Sequence, residues 1–173
     1  MTGPIRICNF WIPVAKSGFR MKKADKIAEL LVDLSAAAPA DGSLDPCYTG
    51  YFTCFNDQRY YEAHDVLEHL WLQKRDENYA FYKGLIQLAG AFVHLQKQFL
   101  RPTHPKDGGR ARPAVRLLLL AAKNLESYRP HHLRLDVERT WTLCSALAAE
   151  IPLADYANPW SPSSAPTLTL EAA

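Results

Sequence analysis

The sequence predicts an all-α protein, a single-domain bundle of about five helices built around a central antiparallel helical hairpin. Three observations carry this. Apolar residues recur at helical spacing in several separate stretches. Segments bearing proline and glycine divide those stretches. No internal repeat and no convincing strand interrupts the pattern. At 173 residues the chain has the length of one domain with tails, enough to bury a sizeable core.

The elements follow in order. Residues 1–20, MTGPIRICNFWIPVAKSGFR, contain a short apolar patch without the charged start, apolar run and small-residue cleavage site of a signal peptide. They are expected to form a flexible arm. A first helix over 22–37 sets Ile27, Leu30, Leu31 and Leu34 on one stripe. APADGSLDP ends it, and a short aromatic segment, CYTGYFTCF, follows. Asn56-Asp57 offers an N-cap for a second helix over about 58–74. RDEN makes a tight connection to a third helix over about 79–99. RPTHPKDGGRARP is a long polar loop, after which Pro113 suits the first turn of a fourth helix, AVRLLLLAAKNLESY. RPHH breaks the chain, with His131 and His132 in a turn, and Asp136 caps a fifth helix, VERTWTLCSALAAEI. The Pro-, Ser- and Ala-rich stretch from Pro152 is expected to be extended or disordered. The organisation is thus an arm over 1–20, a helical domain over 21–151 and a tail over 152–173.

Composition excludes several functions. Apolar residues at 48% and charged residues at 22% fit a soluble globular protein, and a net charge of +2 is too small by itself to indicate nucleic acid or a membrane. No apolar run approaches the length of a membrane-spanning helix. Cys8, Cys47, Cys54 and Cys144 form no C-x-x-C pair or familiar zinc spacing, so reduced, ordinary thiols in a cytoplasmic protein are expected. G-x-S-x-G, P-loop, H-E-x-x-H and dinucleotide fingerprints are all absent, which argues against the common hydrolase and nucleotide-binding classes.

The second helix carries the feature that asks for a function. At about 100° per residue, His64, Glu68 and Trp71 fall within about 60° of one another, on the edge of the apolar face formed by Ala63, Leu67 and Leu70. Glu62, Asp65 and His69 point the other way, as a solvated face would. A buried carboxylate needs a partner, and His64, one turn from Glu68, is the first candidate. The third helix is apolar around most of its circumference, through Phe81, Leu85, Leu88, Phe92, Leu95 and Phe99 on one side and Tyr82, Ile86, Ala89 and Val93 on another. Its remaining seam reads Lys83, Gly84, Gln87, Gly90, Ala91, His94. Interior glycines cost a helix about 1 kcal/mol each relative to alanine, so something should approach this seam closely. Counting outward from the connection sets Trp71 opposite Phe81, Glu68 opposite Gly84, and His64 opposite Gln87 or Leu88. In this register His64 and Glu68 are mostly buried against the seam.

These residues resemble a known family. Phe55-Asn56, then Tyr61-Glu62-Ala63-His64-Asp65, Glu68 and Trp71, then Gly84-Leu85-Ile86-Gln87 with His94, are similar to the small all-helical family called domain of unknown function 309. The resemblance covers about residues 50–128. It implies an orthogonal helical bundle and no activity. By motif match it carries over Glu62, His64, Glu68, Trp71, Gln87 and His94. The family pattern has E-A-H-E where this chain has Glu62-Ala63-His64-Asp65, so the shorter carboxylate weakens any role for Asp65.

The leading expectation is a polar site between the second and third helices that binds a small-molecule ligand or an ion. His64 and Glu68 are its candidate catalytic acid/base pair, and Glu62, Trp71, Gln87 and His94 are candidate ligand contacts. With two good donors in this register, no metal ligands are assigned and no tightly bound metal or nucleotide cofactor is expected. The alternative is a structural or interaction protein whose His64–Glu68–Gln87 network only specifies packing. A weaker one is an RNA- or phosphate-binding module using Arg101, Lys106, Arg110, Arg112 and Arg116, although so small a net charge makes nucleic acid an unfavoured partner.

Overall fold

The computed structural model describes residues 44–172, together with Ile27, Glu29 and Val32. The predicted arm and most of the first predicted helix lie outside the described residues. Ile27, Glu29 and Val32 are helical, and Ile27 is buried.

Five α-helices follow among the described residues. The first, α1, spans Pro46–Asn56, where the sequence suggested only an aromatic segment. Asp45 caps it, its Oδ1 accepting from the Cys47 amide at 2.9 Å, and Pro46 takes the first helical position, where a missing N–H costs nothing. Asn56 therefore ends a helix rather than starting one. Asp57 is the C-cap, and the chain reverses through Gln58 at φ 60°. Helix α2 spans Tyr60–Gln73 with Arg59 at its N-cap, correcting the expected Asn56-Asp57 cap.

Helix α3, Tyr79–Leu100, is the central element. It packs against α2 on one side and on the other against α4, which spans Ala111–Leu125. Helix α1 lies on α2, and the Tyr51 hydroxyl donates to the Leu85 carbonyl of α3 at 2.8 Å in the interior. Phe81, Leu85, Leu88, Phe92 and Leu95 are buried, as an all-round apolar helix requires, while Phe99 near its end is 44% exposed. Tyr51, Phe55, Tyr60 and Phe92 form a chain of ring contacts at 5.0–5.8 Å between α1, α2 and α3.

A single 3₁₀ turn, Glu126–Tyr128, extends α4. A two-stranded antiparallel hairpin then corrects the strand-free expectation: His131 pairs with Asp136, and His132 with Leu135. The reversal falls on Leu133 and Arg134, at φ 44° and 64°, so the two histidines sit on a strand rather than in the turn. Helix α5 spans Val137–Leu153 and packs on α4. Its cap is the expected one, Asp136 accepting from the Arg139 amide at 2.8 Å.

The segment after α5 is irregular but closely held. Trp160 and Leu168 are 4% and 6% exposed. The Trp160 indole donates to the Tyr60 hydroxyl at 3.1 Å, and Asn158 donates to the Leu95 carbonyl at 2.8 Å. Asn56 takes both polar groups of one tail residue: its amide donates to the Leu168 carbonyl and its oxygen accepts from the Leu168 N–H, each at 2.8 Å. Cys47, Cys54 and Cys144 are free and buried. Burial pushes the Cys144 thiol up to about 12 and, aided by Asp45, the Cys47 thiol to about 11, so neither is a poised nucleophile. Among the described residues no helix is long and apolar enough to cross a membrane.

Candidate functional site

The α2 face brings together three side chains of types that can ligate a metal. One donor atom from each of His64, Asp65 and Glu68 lies within 4.8 Å of the other two. His64 Nδ1 is 3.2 Å from Asp65 Oδ1. Asp65 was expected on the solvated side; instead its side chain is only 18% exposed and turns toward His64. A short carboxylate one residue from an imidazole reaches it without lengthening, which is why the helical wheel alone misplaced it. His64 and Glu68 are half-buried rather than sealed, with the His64 side chain 32% exposed. The Tyr61 ring stacks beside His64 at 6.5 Å.

The floor under His64 is Gly90, not Gln87. A methyl placed on Gly90 would stand 3.9 Å from His64 Cδ2 and 3.2 Å from Leu117 Cδ1 of α4. Gln87 is turned to α4 instead, its Oε1 accepting from Asn124 Nδ2 at 2.7 Å. Gly84 does not make room for Glu68 either. A methyl there would lie 2.9 Å from Leu125 Cγ and 3.3 Å from the Ala121 carbonyl oxygen, so this glycine serves the α3–α4 contact. The expected His64–Glu68–Gln87 network is thus not formed as drawn.

The other predicted residues divide. Glu62 lies 3.3 Å from the Arg59 guanidinium, an exposed first-turn ion pair. Trp71 packs on Tyr79 with ring centroids 4.9 Å apart, one turn along α2 from Glu68. Its buried indole nitrogen has no hydrogen-bond partner among the described residues. His94 sits one turn beyond Gly90 on the α3 seam. Its Nδ1 lies 3.4 Å from Arg110 Nη1, and a guanidinium only donates, so His94 accepts there and carries its proton on Nε2. Burial, then the charges of Arg110 and Lys97, lower the His94 pKa.

Arg110 is also the hub of the polar loop. It pairs with buried Asp107 at 2.9 Å, and Arg101 approaches the same carboxylate at 3.4 Å. Burial alone would raise the Asp107 pKa, but the Arg110 hydrogen bond and the charges of Arg110, His104 and Arg101 hold it below the usual range. Arg112 lies over the Tyr156 ring at 3.8 Å. Three of the cations suspected of gripping phosphate are therefore engaged within the fold.

The fold and site define a small all-helical protein with a His/Asp/Glu cluster on a helix of its central hairpin. The model of the family described as Domain of unknown function (DUF309) matches residues 48–103. That span holds Glu62, His64, Glu68, Trp71, Gln87 and His94, and ends before α4. No curated protein and no solved structure matches the chain.

Proposed function

We propose that this face of α2 binds a divalent transition-metal ion through His64, Asp65 and Glu68. The observation that supports this is the convergence of an imidazole and two carboxylates to within 4.8 Å on one half-exposed helical surface. One nitrogen and two oxygen donors suit borderline ions such as zinc or iron(II), and also the harder manganese(II). Three protein donors leave coordination positions for water or a small ligand, and partial exposure leaves a route to them. The earlier expectation of no metal rested on two donors, and Asp65 is the third.

The packing reading has less support. A network that only specifies packing works best when sealed and fully paired, whereas these three side chains reach solvent and Gln87 bonds elsewhere. The basic-loop reading loses support because Arg101, Arg110 and Arg112 have acidic or aromatic partners in the fold.

The test uses protein stripped with chelator, dialysed and titrated with cobalt(II) and zinc(II) by calorimetry and visible absorption. One ion per chain is expected, with ligand-field bands for cobalt that vanish in His64→Ala. Glu68→Gln should weaken affinity at least about tenfold, since losing even an outer-shell partner costs that much. No saturable binding, or equal affinity in His64→Ala, would overturn the proposal.

A further inference from the structure

We infer that the outer face of α4 docks on a lipid bilayer that carries anionic headgroups, with the helix lying flat in the headgroup layer and not crossing it. Of the 15 residues of α4, only Arg112, Arg116, Leu119, Leu120 and Lys123 are exposed. At 100° per residue these five fall within an arc of about 100°, opposite the buried stripe of Ala114, Leu118, Ala121 and Leu125. Three cations and two leucines therefore share one solvent-facing strip, and no carboxylate stands among them. Leu119 is 57% exposed and Leu120 44%, so water wets apolar surface in the middle of a row of positive charge.

The charge around the strip is of one sign. From Tyr79 to Leu125 the chain holds eight lysines and arginines and a single carboxylate. That carboxylate, Asp107, is buried against Arg110. The net charge of +2 conceals this, because the rest of the chain is net negative. Arg116 and Lys123 have no ionic partner among the described residues. Arg112 is held over the Tyr156 ring at 3.8 Å, which fixes that end of the strip. The next carboxylate along the chain is Glu126, in the 3₁₀ turn past the end of the helix.

These features choose the occupant. The cations ask for an anionic partner, which sets aside a second copy of the same face. The leucines decide between the two common polyanions. RNA presents phosphates and bases that stack on aromatic rings, and none of the five residues is aromatic. A bilayer presents phosphates above an apolar layer. A helix lying in that boundary turns its leucines down toward the acyl chains, while the long stems of arginine and lysine lie along the boundary and keep their charges among the headgroups. The opposite stripe of α4 stays in the core, so docking needs no change of fold. With so few contacts the binding is reversible and weakens with salt.

The experiment sediments full-length protein with vesicles at low and physiological ionic strength. One set is phosphatidylcholine alone and the other an equal mixture of phosphatidylcholine and phosphatidylglycerol. Two double variants are compared with wild type: Arg116→Gln with Lys123→Gln, and Leu119→Ser with Leu120→Ser. All four side chains are exposed, and circular dichroism checks that the fold is kept. Wild type should bind the mixed vesicles and lose binding as salt rises, with little on neutral ones. Each double variant should lower the partition coefficient on mixed vesicles at least about tenfold, since each removes one of the two attractions. A single-stranded RNA oligonucleotide should bind more weakly than the mixed vesicles. The inference is overturned if neutral and mixed vesicles bind alike, or if the leucine variant partitions as wild type does. It is also overturned if the RNA binds and the mixed vesicles do not.

Discussion

Two glycines on the same helix should respond to alanine in opposite ways. Both lie inside α3, where replacing glycine by alanine gains about 1 kcal/mol of helix propensity. The surroundings decide the rest. At position 84 the new methyl meets Leu125 Cγ at 2.9 Å, Leu125 Cδ2 at 3.1 Å and the Ala121 carbonyl at 3.3 Å. Leu125 is fully buried and the carbonyl is part of helix α4, so neither yields without moving the two helices apart. With one contact under 3.0 Å and two more at 3.1 and 3.3 Å, overpacking falls in the upper part of its usual range, about 2–3 kcal/mol, so Gly84→Ala should lose about 1–2 kcal/mol net of the propensity gain. At position 90 the near atom is Leu117 Cδ1 at 3.2 Å, the end of a half-buried side chain that turns aside easily. Gly90→Ala should therefore fall between neutral and about 1 kcal/mol more stable. Urea unfolding followed by circular dichroism separates the two. With a slope of about 2 kcal/mol per molar, the midpoint of Gly84→Ala should drop by roughly 0.5–1 M, while that of Gly90→Ala holds or rises. Equal midpoints, or a drop confined to Gly90→Ala, would refute the assignment of Gly84 to the α3–α4 contact and of Gly90 to the more open floor beneath His64.

The remaining predictions concern His94 and Asn56. The folded state holds the His94 pKa below its ordinary 6.5, so between those two values the unfolded chain binds more protons than the folded one. Stability should fall as pH drops from 6.5 through the folded pKa, and His94→Gln should flatten that part of the profile; urea midpoints with the same pH slope in both proteins would count against it. Asn56→Ala removes both bonds to the Leu168 backbone and should cost about 1–3 kcal/mol. In Asn56→Asp the oxygen still accepts from the Leu168 amide but a carboxylate oxygen faces its carbonyl, so no stability is recovered. Hydrogen exchange at the Leu168 amide should speed up in both variants, and unchanged protection would show that Asn56 does not hold the tail.

Much of the fold was legible because it depends on local periodicity. The hairpin of α2 and α3 follows from two apolar repeats joined by five polar residues, and α5 from its Asp136 cap. Helix α1 escaped because its composition, PCYTGYFTCFN, is aromatic, glycine-bearing and β-branched, all poor local signals for a helix. Its start was nonetheless written in Asp45-Pro46, an N-cap followed by proline at the first position. Tertiary burial of Tyr48, Tyr51, Phe52 and Phe55 supplies what propensity withholds. The tail was harder to foresee. Proline and serine spell a lack of regular structure, but they say nothing of a tryptophan that finds a recess among α2, α3 and α5.

The residues of the candidate site were legible and their geometry was not, and one physical reason explains both halves. A helical wheel fixes the direction in which a Cβ leaves the axis, and that was enough to mark His64 and Glu68 as neighbours one turn apart. It does not fix where a polar side chain ends, because one or two rotatable bonds carry the donor atom several ångströms around the helix. Asp65 used that freedom to reach His64, and Gln87 used it to reach Asn124 on a helix that the hairpin argument left out. Helix α4 is the missing term for Gln87 and Gly84. It takes up Gly84 and Gln87, and so leaves the half-open strip beside Gly90 as the place where His64 meets α3. Two helices alone would seal the polar group between α2 and α3, whereas three helices turn the same residues into an accessible surface. That difference is what moves the weight from a packing network toward a ligand site. The decisive quantity is whether His64, Asp65 and Glu68 take up an ion together, as three donors on one face should, or only lie close.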